Sequence, residues 1–218
     1  MTGAESMAAV TAICLGFASV HSTLVTKPVK VFASRLFGES FVRTWYRFLF
    51  IVVSVVTLAI TVALIRAVPD VTVFHPPLSL VIAMRCVQLA AVVFASRAFK
   101  ALDFLEFIGI SQALRAISGQ TSAGDMDMEG MTKTQLVTTG VYGVVRHPLY
   151  FAGIVIMTFS PTLTRNWITV SVLSDLYFIF GAFIEERRYI RDFGEEYLRY
   201  MKEVPRLLPR VRLFRKRF

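Results

Sequence analysis

The sequence has few charged residues and only two cysteines. Charged residues make up 18% of the 218 residues, below the roughly 25% of a typical soluble domain. Residues 7–26 and 48–65 contain no Asp, Glu, Lys or Arg at all. Cys14 and Cys86 both lie in apolar stretches, which argues against a disulfide framework. The composition therefore excludes an ordinary soluble domain and a disulfide-rich secreted one.

Long apolar stretches are what the sequence has instead. They cover residues 7–26, 46–65, 78–96, 149–163 and 167–184, and about 20 apolar residues suffice to cross the ~30 Å hydrocarbon layer. We expect an all-α integral membrane protein with about five transmembrane helices. The fourth stretch is short and is expected to form a helical hairpin with the fifth, turning at residues 162–166. The start MTGAES lacks a basic segment, so the first stretch is predicted to be a span and not a cleaved signal peptide.

A single membrane domain, residues 1–218, accommodates these segments. Residues 1–97 would hold three N-terminal spans, 98–147 a cytosolic helix and loop, 148–184 the hairpin, and 185–218 a C-terminal helix and basic tail. The net charge of +9 is concentrated beside the spans, which favours membrane orientation over nucleic-acid binding. The N-terminus is predicted outside, and the long loop and the C-terminus in the cytosol. The tail RVRLFRKRF could also contact anionic lipid headgroups.

Two charged residues lie inside predicted spans. Arg85 and Asp175 would each sit about 10–12 Å below the outer surface at 1.5 Å per residue, and buried intramembrane charges usually pair. We therefore expect an Arg85–Asp175 salt bridge. The alternative is that Arg85 extends outward while Asp175 bonds a nearby hydroxyl, such as Ser171 or Ser174.

The stretch GVYGVVRHPLYFAG places polar residues at the mouth of the fourth apolar segment. Pro148 suits the first position of a helix, and His147 would then occupy its cap. A helix N-terminus attracts an anion, and Arg146 adds a permanent cation. The local chemistry suits a carboxylate or a phosphate. Equally, Arg146 and His147 could merely mark the membrane boundary.

A carboxylate pair follows at the end of the last span. Glu185 and Glu186 are unfavourable at a helix C-terminus, where the dipole prefers cations, although nearby arginines could neutralise one of them. An anion-attracting stretch beside two carboxylates fits a zwitterionic ligand with an additional cation, such as S-adenosylmethionine. Aromatic faces for its sulfonium or adenine could come from Tyr142, Tyr150, Tyr197 and Tyr200.

These motifs resemble the signature of integral membrane S-adenosylmethionine-dependent methyltransferases. The pattern G-x-Y-x-x-x-R-H-P-x-Y, then E-E, then F-G-x-x-Y-x-x-Y-x-x-x-V-P-x-x-x-P, covers residues 138–209. It is similar to isoprenylcysteine carboxyl methyltransferase and the phospholipid methyltransferases. HSTLVTKPVK and LDFLEFIGISQ further resemble the subfamily of nurim, the denitrification protein NnrU and the methanethiol S-methyltransferases. No G-x-G-x-x-G dinucleotide motif follows a strand.

The resemblance implies a cytosolic cofactor site between the Arg-His-Pro stretch, the glutamate pair and the C-terminal helix. The cofactor-binding residues that it implies are Gly140, Tyr142, Arg146, His147, Pro148, Tyr150, Glu185 and Glu186. Tyr197 is added for its aromatic face, and residues 187–209 are expected to close over the cofactor. An amine or thiol acceptor must lose a proton, which His147 or Glu186 could take. Arg146, His147 and Glu186 are thus the predicted catalytic residues.

The expected acceptor is lipophilic or membrane-soluble and reaches the site from the bilayer. A small thiol, a prenylcysteine carboxylate and a phospholipid amine all remain open. The alternative is a catalytically silent structural or interaction protein of the nurim or NnrU type. A transporter is disfavoured by the absence of an inverted repeat. A metal site is not expected, because His21, His75 and His147 fall on different segments.

Overall fold

The computed structural model describes residues 1–101, 104–119 and 136–210. Within these ranges the chain is helical, and its extended pairing is limited to one bridge between Thr72 and Thr164. The helices are α1 Gly3–Val25, α2 Lys27–Phe37, α3 Glu39–Phe41, α4 Arg47–Ala67, α5 Leu78–Ala101, α6 Phe104–Phe107, α7 Ile110–Ile117, α8 Pro148–Thr158, α9 Arg165–Phe193 and α10 Glu195–Glu203. A π-helical segment, Val42–Tyr46, joins α3 to α4, and a 3₁₀ turn, Gly140–Gly143, precedes α8.

Four of the described helices are long and apolar enough to cross a membrane. They are Gly3–Val25, Glu39–Ala67, Leu78–Ala101 and Arg165–Phe193. The fourth predicted span, α8, has 11 residues and is only about 16 Å long at 1.5 Å per residue. The predicted all-α membrane architecture is confirmed, with α8 shorter than a full span because Pro148 fixes its start and Ser160 and Pro161 follow its end. Residues 120–135 of the predicted loop 118–135 and residues 211–218 of the basic tail lie outside the described residues.

The described chain divides into two compact units, and the predicted single domain stays a prediction. The first unit comprises residues 1–73, 104–119 and 164–170. In it, α1 packs against α4: the His21 Nδ1 and Ser54 Oγ atoms are 3.1 Å apart, and the Tyr46 hydroxyl donates to the Leu24 carbonyl at 2.7 Å. These bonds satisfy polar groups at a helix interface that has no water to serve them.

The helical pattern predicted after the third span is interrupted at Gly109. This residue has φ +86°, and a Cβ there would lie 2.5 Å from the backbone nitrogen of Phe48. Only glycine tolerates both the left-handed conformation and such a close approach. The Arg47 guanidinium reinforces the contact by donating to the Phe107 carbonyl at 2.7 Å. One expected helix is therefore two, α6 and α7.

A loop between α4 and α5 caps the first turn of α9. One oxygen of Asp70 accepts from the backbone N–H groups of Val71, at 2.8 Å, and Asn166, at 2.9 Å. Burial raises the pKa of Asp70, but hydrogen bonds from Thr164, Asn166 and Val71 and the charge of Arg165 outweigh burial and lower it below its usual range. A carboxylate that satisfies free N–H groups at a helix N-terminus also interacts favourably with the helix dipole.

The second unit comprises residues 74–101, 136–163 and 171–210, and α8 packs in it against both α5 and α9. Gly153 allows close contact with α9, since a Cβ there would lie 2.8 Å from the Phe178 ring. The carbonyls at the end of α8 have polar partners: Gln88 donates to Ile156 at 2.7 Å and Ser171 to Met157 at 3.1 Å. Gly153 and the Ser171 bond thus hold the predicted hairpin of α8 and α9, and the Gln88 bond joins α8 to α5.

The predicted Arg85–Asp175 salt bridge is wrong. The exposed Arg85 donates to the Gln88 side chain at 2.9 Å, and Asp175 accepts from the Thr158 hydroxyl at 2.7 Å. Matching depth in the membrane did not bring the two charges together because the two side chains lie on helix faces that have nearer polar partners. The alternative of a hydroxyl bond to Asp175 holds, but with Thr158 of α8.

Candidate functional site

The candidate site forms where the C-terminal segment meets the start of α8, within the second unit. His147 takes the N-cap position of α8 and Pro148 its first helical position, as predicted. The backbone N–H of Arg146 donates to the Pro205 carbonyl at 2.9 Å, and that of His147 donates to the Arg206 carbonyl at 3.1 Å. The chain after α10 is therefore fastened to the Arg-His-Pro stretch by main-chain bonds.

Glu186 is the centre of the cluster and is 3% exposed. Its Oε1 accepts from the Nε and Nη2 of Arg146, at 2.8 and 2.6 Å. Its Oε2 accepts from the Nε and Nη2 of Arg206, at 2.8 and 2.5 Å. Two arginines thus bind the two oxygens of one carboxylate, with three charge-assisted hydrogen bonds and one further ion-pair contact, and such bonds are the strong kind in proteins. Glu186 is held ionised and has little capacity left for a further partner.

Arg146 is equally occupied. Besides Glu186, its Nη1 donates to the Met201 carbonyl at 3.0 Å and to the Val204 carbonyl. These carbonyls end α10 and begin the segment after it, so one buried guanidinium joins α8, α9 and the C-terminal segment. The sequence predicted Arg146 and Glu186 as separate ligands for an anion and a cation; instead, each is the other's partner. Direct contact of either with a cofactor stays a prediction.

His147 lies between the two carboxylates. Its Nδ1 is 3.3 Å from the Glu185 Oε2, and its Nε2 is 3.4 Å from the Glu186 Oε1. The Nε2 atom is buried and has no partner of hydrogen-bond geometry among the described residues. The imidazole ring stacks on Tyr150, with ring centroids 5.5 Å apart and planes inclined by 3°. Stacking and the Glu185 contact together fix the plane of the ring.

The Glu185 side chain is more exposed than that of Glu186. Its side chain is 22% exposed, against 3% for Glu186. Its Oε1 accepts from the Tyr189 hydroxyl at 2.8 Å and from Arg188 at 3.3 Å. The expectation that a neighbouring arginine neutralises one of the two glutamates therefore holds for Glu185, through Arg188. Glu185 is the carboxylate of the pair that a ligand could reach.

The tyrosines form the aromatic lining of the same cluster. Tyr197 and Tyr200 are buried on α10, and the Tyr200 hydroxyl donates to the Tyr142 carbonyl at 2.6 Å. Burial and then the Glu185 charge raise the pKa of Tyr142 to about 12. Burial also raises the pKa of Tyr197 and of Tyr200. These hydroxyls stay protonated at neutral pH, so they can donate hydrogen bonds but cannot serve as bases.

The structure brings together eight of the nine predicted residues through direct contacts. The ninth, Gly140, has φ +64° and opens the 3₁₀ turn before the Arg-His-Pro stretch, with nothing within 4 Å of its Cβ position. Two residues were missed, Arg206 and Tyr189. Their positions inside the quoted segment from E-E to V-P-x-x-x-P were the only signal, because a single sequence does not tell which of its many arginines turns inward.

The arrangement can be tested against the charges of S-adenosylmethionine. A carboxylate is suited by the start of α8, because no side chain of the described residues caps its N–H groups and free N–H groups at a helix start bind anions. A cation is suited by the partly exposed Glu185 carboxylate and by the rings of Tyr150 and Tyr189. The charges of the residues present are therefore compatible with those of the cofactor. Within the described ranges, no group of three or more His, Cys, Asp or Glu could hold a metal ion.

Comparison with known proteins agrees with the motifs. The chain is similar to methanethiol S-methyltransferases over about half of its length. The enzyme of Pseudomonas deceptionensis is 30% identical over 111 residues, which are 51% of this chain and 39% of that protein. Methanethiol S-methyltransferase 1 of Bradyrhizobium diazoefficiens is 28% identical over 108 residues, 50% of this chain and 35% of that protein.

The predicted resemblance to membrane methyltransferases is thereby confirmed, over a matched stretch that spans less than half of each of these relatives. A shorter match of 70 residues, 34% identical, is found to the enzyme of Pseudomonas sp. strain GM41(2012), covering 32% of this chain and 27% of that protein. No family model matches the chain, and no solved structure matches it.

Proposed function

We propose that this protein transfers a methyl group from S-adenosylmethionine to a small thiol in the membrane. The observation that carries the proposal is the Glu185–His147 pair, which sits beside the uncapped start of α8 in a chain similar to methanethiol S-methyltransferases. The four long apolar helices fit a multi-pass membrane protein. The names of the relatives favour a thiol over a prenylcysteine carboxylate or a phospholipid amine as acceptor.

The residues divide into those that would bind the cofactor and those that position the C-terminal segment beside His147. S-Adenosylmethionine, when bound, supplies an activated methyl carbon for an in-line displacement. The N–H groups at the start of α8 would bind its carboxylate, and Glu185 with the Tyr150 ring would bind its cationic end. Arg146, Glu186 and Arg206 instead keep the C-terminal segment against His147. This is positioning, which accounts for much of the rate in such reactions.

A thiol acceptor reacts as its thiolate, so one group of the site must take the proton. Glu186 is a poor base, because three charge-assisted hydrogen bonds and a further ion-pair contact with Arg206 favour its ionised form. The tyrosine hydroxyls are already protonated. His147, oriented by Glu185 through Nδ1, is the group that we propose takes the proton from the thiol sulfur. The freed electron pair on the sulfur would form the bond to the methyl carbon while the bond from that carbon to the sulfonium sulfur breaks, so that the methylated acceptor and neutral S-adenosylhomocysteine would leave the site.

The proposal is tested with the purified protein, methanethiol and S-adenosylmethionine labelled in the methyl group, with labelled dimethyl sulfide as the readout. We expect turnover by the wild type and at least a roughly hundredfold loss in His147→Ala, typical of removing a general base. Glu203→Gln, an exposed glutamate of α10, is the matched control for Glu185→Gln and should keep full activity. Glu185→Gln should lower both cofactor affinity and turnover.

The outcomes separate the parts of the proposal. Cofactor binding without product from methanethiol would refute the thiol acceptor and leave the other two acceptor classes. No calorimetric heat at millimolar cofactor would refute the methyltransferase and favour the silent structural alternative. We further propose that the site faces the cytosol. The test fuses to the C-terminus a reporter enzyme that works only outside the cytosol. Activity of that reporter would contradict the orientation.

A further inference from the structure

An apolar cavity of about 230 Å³ lies in the first unit. Its walls come from α1, α2 and the chain from Phe41 to Val53, and all eight lining residues are aliphatic or aromatic. The single polar group among them, the Tyr46 hydroxyl, is already bonded to the Leu24 carbonyl. Water in such a cavity would lack hydrogen-bond partners, so the cavity suits an apolar occupant.

One wall of the cavity is built by the π-helical segment Val42–Tyr46. A π-turn widens the helix locally, is rare, and frequently marks a functional site. Here it separates the turn that carries Phe41 from the turn that carries Leu49 and Phe50, all three of which line the cavity. The helix thus departs from regular geometry at the place where the cavity lies.

The segments around the cavity are strongly basic. Residues 27–47 contain five basic residues and one acidic residue, and Lys27, Arg35 and Arg43 are exposed. Helix α2 also exposes Phe32 and Leu36, 66% and 62% accessible. Basic residues together with exposed Phe and Leu are typical of a helix that lies in the membrane interface. Cations at that level attract anionic lipid headgroups.

We propose that this cavity binds an acyl chain of one anionic phospholipid, whose headgroup contacts the basic residues of α2 and of the π-helical segment. The apolar lining suits the acyl chain of the lipid, and the surrounding cations suit its anionic headgroup. A small neutral thiol would use the lining but would leave the cations without a role. The site is independent of the proposed methyl transfer.

The test is native mass spectrometry of the detergent-purified protein titrated with phosphatidylglycerol or with phosphatidylcholine of the same acyl chains. We expect one phosphatidylglycerol per chain and a preference of at least about fivefold, the size that a single Lys or Arg beside an anionic surface supplies. Ala33→Phe fills the cavity from α2 and should abolish the retained lipid. Ala59→Phe, at an exposed position of α4, is the matched control and should keep it.

A second pair of variants tests the headgroup. Arg35→Gln should lower the preference for phosphatidylglycerol severalfold. Arg66→Gln removes the same charge at the end of α4 that is far from the cavity, and it should leave the preference unchanged. If Ala33→Phe fails to fold, Val53→Phe fills the cavity from the α4 side. Equal binding of both lipids by the wild type would overturn the anionic-lipid proposal in favour of a general apolar ligand. Retention of phosphatidylglycerol by both cavity-filling variants would overturn the cavity as its site.

Discussion

Replacing Arg206 with Gln should lower the free energy needed to open the C-terminal segment away from the start of α8 by about 2 kcal/mol. The Arg206 guanidinium donates one charge-assisted hydrogen bond to Glu186, makes a second ion-pair contact with it, and lies 3.7 Å from the centroid of the Phe183 ring. A bond to a charged group contributes about 1.5–3 kcal/mol. The Arg206 side chain is 28% exposed, so water recovers part of the loss. Glu186 also keeps Arg146, which limits the penalty of an unpaired buried charge.

The measurement is hydrogen–deuterium exchange at the backbone amides of Arg146 and His147. Both donate to carbonyls of the C-terminal segment, so their exchange reports on the opening of that segment rather than on global unfolding. A loss of about 2 kcal/mol corresponds to roughly 30-fold faster exchange, at 1.4 kcal/mol per factor of ten. The control is Arg210→Gln, which removes an exposed charge and should leave both amides protected.

Glu186→Gln should cost more than Arg206→Gln, because it leaves two arginines facing a neutral amide. Losing one partner of a buried ion pair typically costs about 3–5 kcal/mol. The double variant should then cost less than the sum of the two single changes. The reasoning would be refuted by unchanged protection of both amides in Arg206→Gln, or by strictly additive effects in the cycle.

Three further predictions follow from other contacts. Arg146→Ala should weaken S-adenosylmethionine binding by about 1.5–3 kcal/mol in calorimetry, through loss of positioning; unchanged affinity would contradict this. Gly109→Ala should destabilise the protein by at least about 2 kcal/mol, because its Cβ would meet the Phe48 backbone; Gly38→Ala, where φ is +91° but space is open, should cost less in thermal unfolding. Because the folded-state pKa of Asp70 is lowered, the stability that it contributes is present at neutral pH and lost as the pH falls below about 4. The melting-temperature difference between wild type and Asp70→Asn should therefore shrink below that pH, and a difference that persists at pH 2 would contradict the assignment.

The sequence predicted the features that depend on local chemistry. Apolar length gave the four long helices, and the missing N–H of Pro148 placed it and His147 at the start of α8. These inferences succeed because hydrophobic length and helix capping are set by neighbouring residues. The break at Gly109 was less accessible, since its reason is the close approach of a distant backbone segment, that of Phe48.

Long-range pairings were not predictable to the same degree. Arg85 and Asp175 have equal expected depth, but rotation about the helix axis decides whether two side chains meet, and weakly amphipathic spans carry little information about that rotation. Arg206 was missed because the local sequence does not determine its direction either. It lies in a segment without regular structure, and its inward direction depends on main-chain bonds that Pro205 and Arg206 form with residues about 60 positions earlier.

The Arg146–Glu186–Arg206 cluster is better explained by specificity than by net stability. Desolvating three charges opposes much of their mutual attraction, and buried ion clusters of this kind can often be replaced by apolar residues without loss of stability. An apolar cluster would also pack the C-terminal segment against α8, but it would accept small shifts in register. Two guanidinium groups that bind the two oxygens of one carboxylate allow only one alignment of the C-terminal segment with α8. That alignment brings the Arg206 carbonyl to the His147 amide and leaves Glu185 beside the imidazole, which is the geometry that the proposed proton transfer requires.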